Sequence, residues 1–309
     1  MSLPIPIGVV GLGKIATDQH LPALRADPNY RLMGGVDPNQ SPADLLQYGG
    51  LEAMLDAHPD ISAVSLCTPP QVRYELAKTA LERGKHVFLE KPPGATLSEV
   101  ECLRRRAEAA GVTLFASWHS RFAAGVATAR DWLKSRKVRS VQVDWREDVR
   151  RWHPGQNWIW APGGLGVFDP GINALSIVTE ILPSALMLKS AILEFPENRD
   201  APIAADLSFL DEDGAAMTAT FDWRQEGPQT WDIVVETDGG SLRLSDGGSR
   251  LTIRGEEVHV HAASEYSGLY RRFAELIADE RSEVDVRPLQ LVADTFLIGR
   301  RTMTAPFIA

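Results

Sequence analysis

The sequence predicts an N-terminal α/β domain with a doubly wound parallel sheet, followed by an α+β domain with a large, mostly antiparallel open sheet. Apolar runs of strand length alternate with helical periodicity from residue 5 to about residue 135, which is the pattern of parallel strands joined by crossover helices. Beyond residue 138, strand-like runs are separated by turns that contain glycine, as in hairpins. Because 309 residues exceed the usual size of one hydrophobic core, we place the domains at residues 1–122 and 123–309.

The first domain has the pattern of six strands with helices between them. The predicted strands are 5–10, 31–36, 45–48, 61–66, 85–89 and 112–117. The predicted helices are 15–26, 51–57, 72–83 and 98–110, and a helix over 123–135 leads out of the domain. Strands that alternate with helices in this way form a parallel sheet with helices on its faces.

The second domain is predicted to be a sheet with helices on one side. Strand-like runs cover 138–149, 186–195, 203–210, 215–223 and 231–236, with Asp-Gly turns between the later ones. Helical periodicity covers 171–182, 269–279 and 289–302, and the last helix is a candidate to pack back on the first domain.

Composition and charge exclude several classes of protein. The net charge is -9 and no dense Lys/Arg stripe is present, which disfavours a nucleic-acid surface. No run of about 18 apolar residues offers a membrane span, and the N-terminal residues lack the basic and long apolar regions of an export signal. The only two cysteines, Cys67 and Cys102, fit a reducing compartment rather than a disulfide scaffold. We therefore expect a cytoplasmic protein with no membrane or nucleic-acid partner.

A glycine motif follows the first predicted strand and opens the first helix. It reads Gly11-Leu12-Gly13-Lys14-Ile15-Ala16. Gly11 and Gly13 would let the backbone approach a pyrophosphate, and Lys14 and Ile15 lie where the helix start would face that anion. An ordinary glycine turn is the alternative, but the strand–helix–strand context favours a dinucleotide site of the Rossmann type.

Asp37 stands where the second strand ends. A carboxylate there can accept hydrogen bonds from the adenosine ribose and would repel a 2′-phosphate, so the sequence predicts that NAD is preferred and that NADP is also accepted. The alternative is an aspartate that only forms the turn before Pro38.

Three motifs together resemble the glucose-fructose oxidoreductase / inositol dehydrogenase family. They are the glycine motif, Cys67-Thr68-Pro69-Pro70 after the fourth strand, and Glu90-Lys91-Pro92 after the fifth. The resemblance implies that Thr68, Pro69 and Glu90 belong to the cofactor site. It also implies that Lys91 faces the nicotinamide and the reacting hydroxyl, often beside a cis peptide. The alternative for Glu90 and Lys91 is a surface salt bridge.

The second half carries a matching segment, residues 163–173, with a glycine-rich turn, Asp169 and Asn173. Asp169 and Asn173 are four positions apart, so both would share one helix face if the helix begins at Gly171. The family usually has histidine where this chain has Asn173. Because an amide cannot transfer protons at neutral pH, Asn173 is expected only to orient a hydroxyl. A plain polar pair at a helix start is the alternative.

Within the family, the chain most resembles the aldose 1-dehydrogenases that act on D-galactose and L-arabinose. The resemblance rests on residues 118–121, 145–148, 151–156 and 158–160, which hold many of the eight tryptophans. Indole faces stack on the apolar faces of pyranose rings, although core packing is an equal explanation for any single tryptophan. The implied substrate-binding residues are Lys91, His119, Glu147, Trp152, His153, Asp169, Asn173 and Trp231. For His119, a structural role is the alternative.

The resemblance implies oxidation of the sugar at C1 to the aldonolactone. Lys91 would hold O1 and take its proton, Asp169 would orient Lys91, and His153 would be the second candidate for the base. No metal is expected, since His259 and His261 lack a neighbouring carboxylate or cysteine and are predicted to be a surface pair. A dehydrogenase or reductase of inositols or keto-sugars and a non-catalytic sensor remain as rival functions. A homodimer or homotetramer is a family expectation.

Overall fold

The computed structural model describes residues 3–40, 42–261 and 264–308. The chain forms two compact units: Met1–His119 with Ser264–Val286, and Ser120–Ala263 with Arg287–Ala309. The prediction assigned every residue after 122 to the second domain. The structure differs because the segment Ser264–Val286 belongs to the first unit.

The first unit is built on a six-stranded parallel sheet in the order β3-β2-β1-β4-β5-β6. The strands are β1 (Ile5–Val10), β2 (Tyr30–Val36), β3 (Gln47–Tyr48), β4 (Ala63–Leu66), β5 (His86–Leu89) and β6 (Leu114–Ala116). The order reverses between β1 and β4, so a crevice opens at their carboxyl ends, where doubly wound sheets bind ligands.

Helices follow these strands as the alternating pattern predicts. They are α1 (Leu21–Ala26), α2 (Leu51–Ala57), α3 (Pro70–Glu82) and α4 (Leu97–Ala110). The start of α4 is stabilised by a capping box between Thr96 and Glu99. A regular helix over 15–26 was predicted, but Ala16–His20 is a π-helical segment that precedes α1. Ala16 and His20, at the ends of that segment, are both fully buried.

The second unit contains a nine-stranded sheet in the order β14-β13-β12-β11-β7-β10-β9-β8-β15. Its strands are β7 (Val138–Arg146), β8 (Leu186–Pro196), β9 (Ala204–Asp211), β10 (Ala216–Asp222), β11 (Thr230–Thr237), β12 (Gly240–Ser245), β13 (Arg250–Ile253), β14 (Glu256–Val258) and β15 (Arg300–Thr304). β7 pairs parallel with β10 and β8 with β15, and the other pairs are antiparallel. The predicted mostly antiparallel sheet is therefore confirmed.

The first three helices of this unit are α5 (Val126–Leu133), which precedes β7, and α6 (Val149–Trp152) and α7 (Phe168–Ile181), which lie between β7 and β8 in the sequence. α7 is almost wholly buried and packs on β10 through Phe168 and Phe221, whose ring centroids are 5.8 Å apart. The predicted strand 138–149 was too long. β7 ends at Arg146, and Asp148 then caps the single turn of α6 by accepting the Arg150 N–H at 3.0 Å.

Two helices lie near the end of the chain, α8 (Glu265–Ala278) in the first unit and α9 (Arg287–Ile298) in the second. α8, rather than the last helix, is thus the one that belongs to the first unit. It buries five side chains at helical spacing, namely Tyr266, Leu269, Tyr270, Phe273 and Leu276.

The prediction of a single helix over 289–302 was wrong. α9 ends at Ile298, and Arg300–Thr304 forms β15 beside β8. Gly299 marks the break, since a Cβ there would lie 2.3 Å from the Thr295 carbonyl oxygen. The alternating residues that follow suit a strand at the edge of a sheet.

In the described part of the chain, no helix is both long and apolar enough to cross a membrane.

Candidate active site

The glycine motif forms a tight turn between β1 and the π-helical segment. Gly11 has φ +86°, and a Cβ on it would lie 2.8 Å from backbone atoms of Cys67 and Thr68. Only glycine fits this approach of two strand ends. A Cβ on Gly13, in contrast, would meet nothing within 4 Å. The turn therefore leaves open space beside the start of the helix, as a pyrophosphate would require.

Asp37 lies beside this turn, directly after β2. Its Oδ2 accepts the Leu12 N–H at 2.7 Å, and its Oδ1 accepts the N–H groups of Asn39 at 2.7 Å and Gln40 at 2.9 Å. The carboxylate is thus both a turn residue and a neighbour of the glycine motif. Since each carboxylate oxygen has about two acceptor sites, Oδ2 can still accept one ribose hydroxyl.

The segment after β4 adds a second feature that fits a dinucleotide. The hydroxyl oxygen of Thr68 is buried and has no hydrogen-bond partner among the described residues. Pro69 and Pro70 follow it and begin α3. A buried hydroxyl without a hydrogen-bond partner is unfavourable, and a ligand atom at this position would satisfy it. The narrow turn, the open space and this hydroxyl together fit NAD or NADP.

The other residues predicted for the cofactor site, Lys14 and Ile15, are exposed at the beginning of the helix. The Lys14 ammonium pairs with Asp18 one turn later. Lys14 is therefore already engaged by a carboxylate on its own helix.

Glu90 is only 3% exposed, so the charged pair at the end of β5 is not a surface salt bridge. The hydroxyl of Tyr266 donates to Glu90 Oε1 at 2.6 Å, and His20 Nε2 lies 3.4 Å from the same oxygen. Glu90 Oε2 accepts the backbone N–H of Lys91. The carboxylate predicted for the cofactor site is thus held inside the first unit by its own side chains, while the side chain of Lys91 is half-buried.

The peptide bond between Lys91 and Pro92 is cis, as the family resemblance implied.

The buried pair of His20 and Glu90 is strongly stabilised in its charged form. Burial opposes protonation of His20, but Cys67 and Glu90 beside it outweigh burial and raise its pKa to about 9. Burial also opposes ionisation of Glu90, but His20, His119 and Lys91 outweigh it and lower its pKa to about 2. An imidazolium and a carboxylate therefore face each other behind Lys91.

His119 lies in the same unit. Its Nδ1 is 2.5 Å from Glu265 Oε2, and its ring stacks on Tyr266 with centroids 5.5 Å apart. The carboxylate and the tyrosine ring together fix the orientation of the imidazole.

In the second unit, Glu147 is a buried carboxylate just after β7. The indole N–H of Trp223 donates to its Oε1 at 3.3 Å, and that of Trp231 donates to its Oε2 at 3.0 Å. Two indoles thus hold the Glu147 carboxyl group, and this residue is only 5% exposed. His153 Nε2 lies 3.5 Å from Glu147 Oε1.

The same His153 nitrogen lies 3.7 Å from Asp169 Oδ2, so the imidazole stands between two carboxylates. Its other face packs against Trp223, with ring centroids 5.3 Å apart. The structure thereby brings together Glu147, His153, Asp169 and Trp231, which the sequence placed in one site. We call these four residues the Glu147 cluster.

Asp169 reaches this cluster from the first turn of α7. The helix begins at Phe168, three residues before the predicted start. A Cβ on Gly164, in the preceding turn, would lie 2.1 Å from the Trp158 carbonyl oxygen, so the turn packs against the Trp158–Trp160 segment only because this residue is glycine.

Asn173 is half-buried one turn after Asp169 on α7, as predicted. Its backbone carbonyl oxygen accepts a hydrogen bond from the Ser176 hydroxyl at 2.7 Å. Among the described residues, the hydrogen bonds and ion pairs of the Glu147 cluster do not include the Asn173 side chain.

Five of the eight tryptophans lie around this cluster or in the core of the second unit. Trp145, Trp160 and Trp223 are buried and belong to the core. Trp231, a member of the cluster, and Trp152 are only partly buried, and their ring centroids are 5.4 Å apart. These two indoles form a partly exposed aromatic surface.

The sequence did not predict three residues that shape these sites, namely His20, Trp223 and Tyr266. Trp223 was seen only as the end of a strand, and Tyr266 lay outside the predicted helix. Each acts through a partner distant in sequence, for which no local pattern exists.

Among residues 3–40, 42–261 and 264–308, no group of three or more His, Cys, Asp or Glu side chains has an arrangement that could hold a metal ion. His259 and His261 are exposed, and their rings lie 5.5 Å apart.

Comparison with known proteins gave consistent matches. The sequence profile described as "Oxidoreductase family, NAD-binding Rossmann fold" matches residues 5–117. Galactose 1-dehydrogenase of Pseudomonas fluorescens is 45% identical over 304 residues, which cover 98% of this chain and 99% of that protein.

Solved structures agree with the sequence comparisons. The crystal structure of D-galactose-1-dehydrogenase from Rhizobium etli has a TM-score of 0.95 and 55% identity, covering 100% of this chain and 99% of that chain. A 3-ketoreductase from Actinomadura kijaniata in complex with NADP and TDP-benzene has a TM-score of 0.83 over 97% of this chain and 99% of that one. At 21% identity, the latter shows a shared fold alone.

Proposed function

Because the chain belongs to the glucose-fructose oxidoreductase / inositol dehydrogenase family of oxidoreductases, we propose that it oxidises D-galactose at C1 to the aldonolactone, and L-arabinose likewise. The similarity to two galactose 1-dehydrogenases over nearly the whole chain supports this substrate class. L-Arabinose has the ring configuration of D-galactose without the C6 group, so a site that reads the ring hydroxyls accepts both.

The observation that carries the proposal is the Glu147 cluster with its two partly buried indoles. The His153 imidazole lies 3.5 Å from the Glu147 carboxylate and 3.7 Å from that of Asp169. These groups form a set of acceptors and donors matched to sugar hydroxyls. Trp152 and Trp231 supply the aromatic surface on which the C–H face of a pyranose stacks. A site of this composition recognises a small polyol rather than an apolar or polyanionic ligand.

Gly11, Gly13, Asp37 and Thr68 would hold the dinucleotide in the first unit. When bound, the nicotinamide accepts the hydride that leaves C1 of the sugar. The lactone product requires that O1 also lose its proton, and that transfer falls to the protein.

Lys91 is the group we assign to O1. As an amine at the carboxyl edge of the parallel sheet, it hydrogen-bonds the anomeric hydroxyl and takes its proton during oxidation. His153 is the second candidate for this proton, since two carboxylates orient its ring.

The remaining residues bind the sugar. Asp169 and Glu147 accept ring hydroxyls, and His119 donates to or accepts from one, its ring being set by Glu265. Asn173 orients a hydroxyl through its amide, which takes no part in proton transfer.

A panel of substrates with both cofactors tests the proposal. Absorbance of the reduced nicotinamide is followed with aldoses, inositols and keto-sugars, and the lactone is trapped with hydroxylamine. We expect the highest kcat/KM with D-galactose or L-arabinose. Activity confined to inositols or keto-sugars would contradict aldoses as the substrate class and favour the rival enzyme function. Cofactor binding without turnover of any polyol would favour a sensor.

Asp37 supports a preference for NAD over NADP. Its carboxylate would lie near the 2′-phosphate of NADP, and the basic residues that precede it in the sequence are paired elsewhere, Arg31 with Asp60, Arg25 with Asp44 and Lys14 with Asp18. NADP remains a weaker substrate in this proposal.

We also propose that the enzyme is cytoplasmic and forms a homodimer or homotetramer through its nine-stranded sheet. Alternate residues of β10, at 216, 218, 220 and 222, are the less buried ones, so one face of that strand remains available. Light scattering of the purified protein measures the oligomeric state, and a monomer at assay concentration would contradict this part.

A further inference from the structure

Arg73 is a buried arginine in the first turn of α3. It is only 2% exposed, although arginine is among the side chains least often buried. A buried guanidinium is tolerated only where acceptors replace the water that it has lost. Its acceptors therefore indicate what it does.

The acceptors include three backbone carbonyls in two different loops. One nitrogen of the guanidinium donates to the carbonyl oxygens of Glu90 and Pro92, and the other terminal nitrogen donates to that of Thr68. Thr68 follows β4, whereas Glu90 and Pro92 follow β5, the neighbouring strand. One planar side chain thus joins the two loops at the carboxyl edge of the sheet.

The two carbonyls after β5 belong to the residues on either side of Lys91. The backbone N–H of Lys91 is held as well, since it donates to Glu90 Oε2. The N–H of Glu90 donates to the Leu66 carbonyl oxygen at 3.1 Å, which ties the turn back to β4. The backbone of Lys91 is fixed on both sides, and its side chain leaves from that fixed point.

We propose that Arg73 is a positioning residue for Lys91, because its guanidinium sets the backbone of the Glu90–Pro92 turn and so the direction of the lysine side chain. This inference rests on the proposed role of Lys91 at O1. Lysine cannot replace Arg73, because one ammonium lacks the planar fork that reaches both loops. Glutamine keeps two N–H donors but loses the charge and one branch of the fork.

Arg73→Lys and Arg73→Gln test the proposal, with Arg83→Gln as the matched control. Arg83 follows the last residue of the same helix, but it pairs with Asp56 at 2.8 Å and is well exposed. We expect kcat to fall by about tenfold to a hundredfold in both Arg73 variants, since small misplacement of a reacting group has effects of that size. The Arg83 variant keeps the kcat of the wild-type enzyme.

Two further measurements separate positioning from simple loss of stability. The dissociation constant of NAD is read from tryptophan fluorescence so that kcat can be measured at saturating NAD, because Arg73 also holds the Thr68 loop of the cofactor site. The value of kcat is expressed per folded molecule after thermal unfolding has been measured. Millimolar guanidinium restores part of the activity of Arg73→Ala, whereas methylammonium does not. Folded Arg73→Lys with wild-type kcat would overturn the proposal.

A chemical readout keeps the test independent of the assigned substrate. Reductive methylation of Lys91 is followed by peptide mass spectrometry, with Lys85 as the reference lysine in the same unit. We expect the ratio of the Lys91 rate to the Lys85 rate to change in both Arg73 variants and not in Arg83→Gln. An unchanged ratio would overturn the inference even if no sugar proves to be a substrate, whereas a changed ratio with no aldose activity would reject only the proposed function.

Discussion

Each unit of the molecule places a histidine beside a buried carboxylate, but the two pairs differ in exposure. His20 lies 3.4 Å from Glu90 Oε1 and has a fully buried side chain. His153 lies 3.5 Å from Glu147 Oε1, and 16% of its side chain is exposed. The same two residue types at nearly the same distance therefore stand in a closed site in the first unit and in an accessible one in the second.

The neighbours explain this difference. Around His20 and Glu90, hydroxyl groups fill the site. The Tyr270 hydroxyl lies 2.7 Å from His20 Nδ1 and 2.9 Å from the Ser65 hydroxyl. The Tyr266 hydroxyl lies 2.6 Å from Glu90 Oε1. Around Glu147, the donors are indoles, and Trp231 is only partly buried. A network that is closed to solvent stabilises and positions its members, whereas one that water can reach is suited to a ligand.

Replacing Lys91, which adjoins the closed network, is expected to have the largest effect. Lys91→Met should lower kcat by about a thousandfold, the range of general acid–base catalysis, and leave the dissociation constant of NAD nearly unchanged. Lys85→Met is the control, since Lys85 donates to the Ile61 carbonyl oxygen at 2.6 Å away from the motif. Near-normal turnover of Lys91→Met would remove this lysine from the mechanism.

The difference between the two histidine–carboxylate pairs is tested most directly by replacing each glutamate with glutamine. Glu90→Gln leaves His20 charged and buried, so the free energy of unfolding should fall by about 3–5 kcal/mol. Glu147→Gln should change stability less and raise the KM for the sugar. Urea unfolding of both variants beside steady-state kinetics checks this, and equal destabilisation would show that the Glu147 cluster is also structural.

The closed pair predicts how stability depends on pH. The pKa of His20 is raised from 6.5 to about 9, so its contribution is complete below pH 6.5 and is lost as the pH rises through 9. The pKa of Glu90 is lowered to about 2, so its contribution is present above pH 4.5 and is lost as the pH falls toward 2.

Between pH 6.5 and 9 the free energy of unfolding should therefore fall by about 3 kcal/mol. Urea midpoints measured across this range test the value, with His20→Asn as the control variant. A wild-type slope that persists in His20→Asn would assign the dependence to other groups.

Asp169 tests the accessible site. Asp169→Ala should lower kcat/KM by about a hundredfold, because the variant loses the partner of His153 and, under the proposed function, an acceptor of a sugar hydroxyl. As an acid in the first turn of α7, it contributes only about 1 kcal/mol to stability. Unchanged kinetics with a large fall in Tm would instead make Asp169 a residue of the helix start.

The smallest expected effect concerns the cofactor. We expect kcat/KM to favour NAD over NADP by about tenfold, equivalent to about 1.4 kcal/mol, and the dissociation constants from fluorescence to follow. Asp37→Ser combined with Pro38→Arg should shift both toward NADP by removing repulsion and adding a phosphate partner. Equal kcat/KM values and equal dissociation constants for NAD and NADP in the wild-type enzyme would show that Asp37 only stabilises the turn after β2.

The sequence by itself determined the fold class, the dinucleotide motif and the helix that carries Asp169. These features have local signals, such as the alternation of strands and helices, the glycine spacing of residues 11–16, and the placement of Asp169 and Asn173 four positions apart. The family resemblance, rather than a local pattern, assigned Glu147, His153 and Trp231 to the same site. Boundaries failed where a local break outweighed periodicity, as at Gly299, which divides the predicted last helix into α9 and β15.

Only the tertiary structure decided what each charged residue touches. Tyr266 bonds to Glu90 across 176 residues, and Trp231 bonds to Glu147 across 84. Glu90 and Glu147 were both predicted to serve bound molecules, yet Glu90 is enclosed by His20 and Tyr266. The physical reason is that burial and partner geometry arise when distant segments pack, and they set the charge state and the accessibility of a side chain. No pattern of neighbouring residues contains that information.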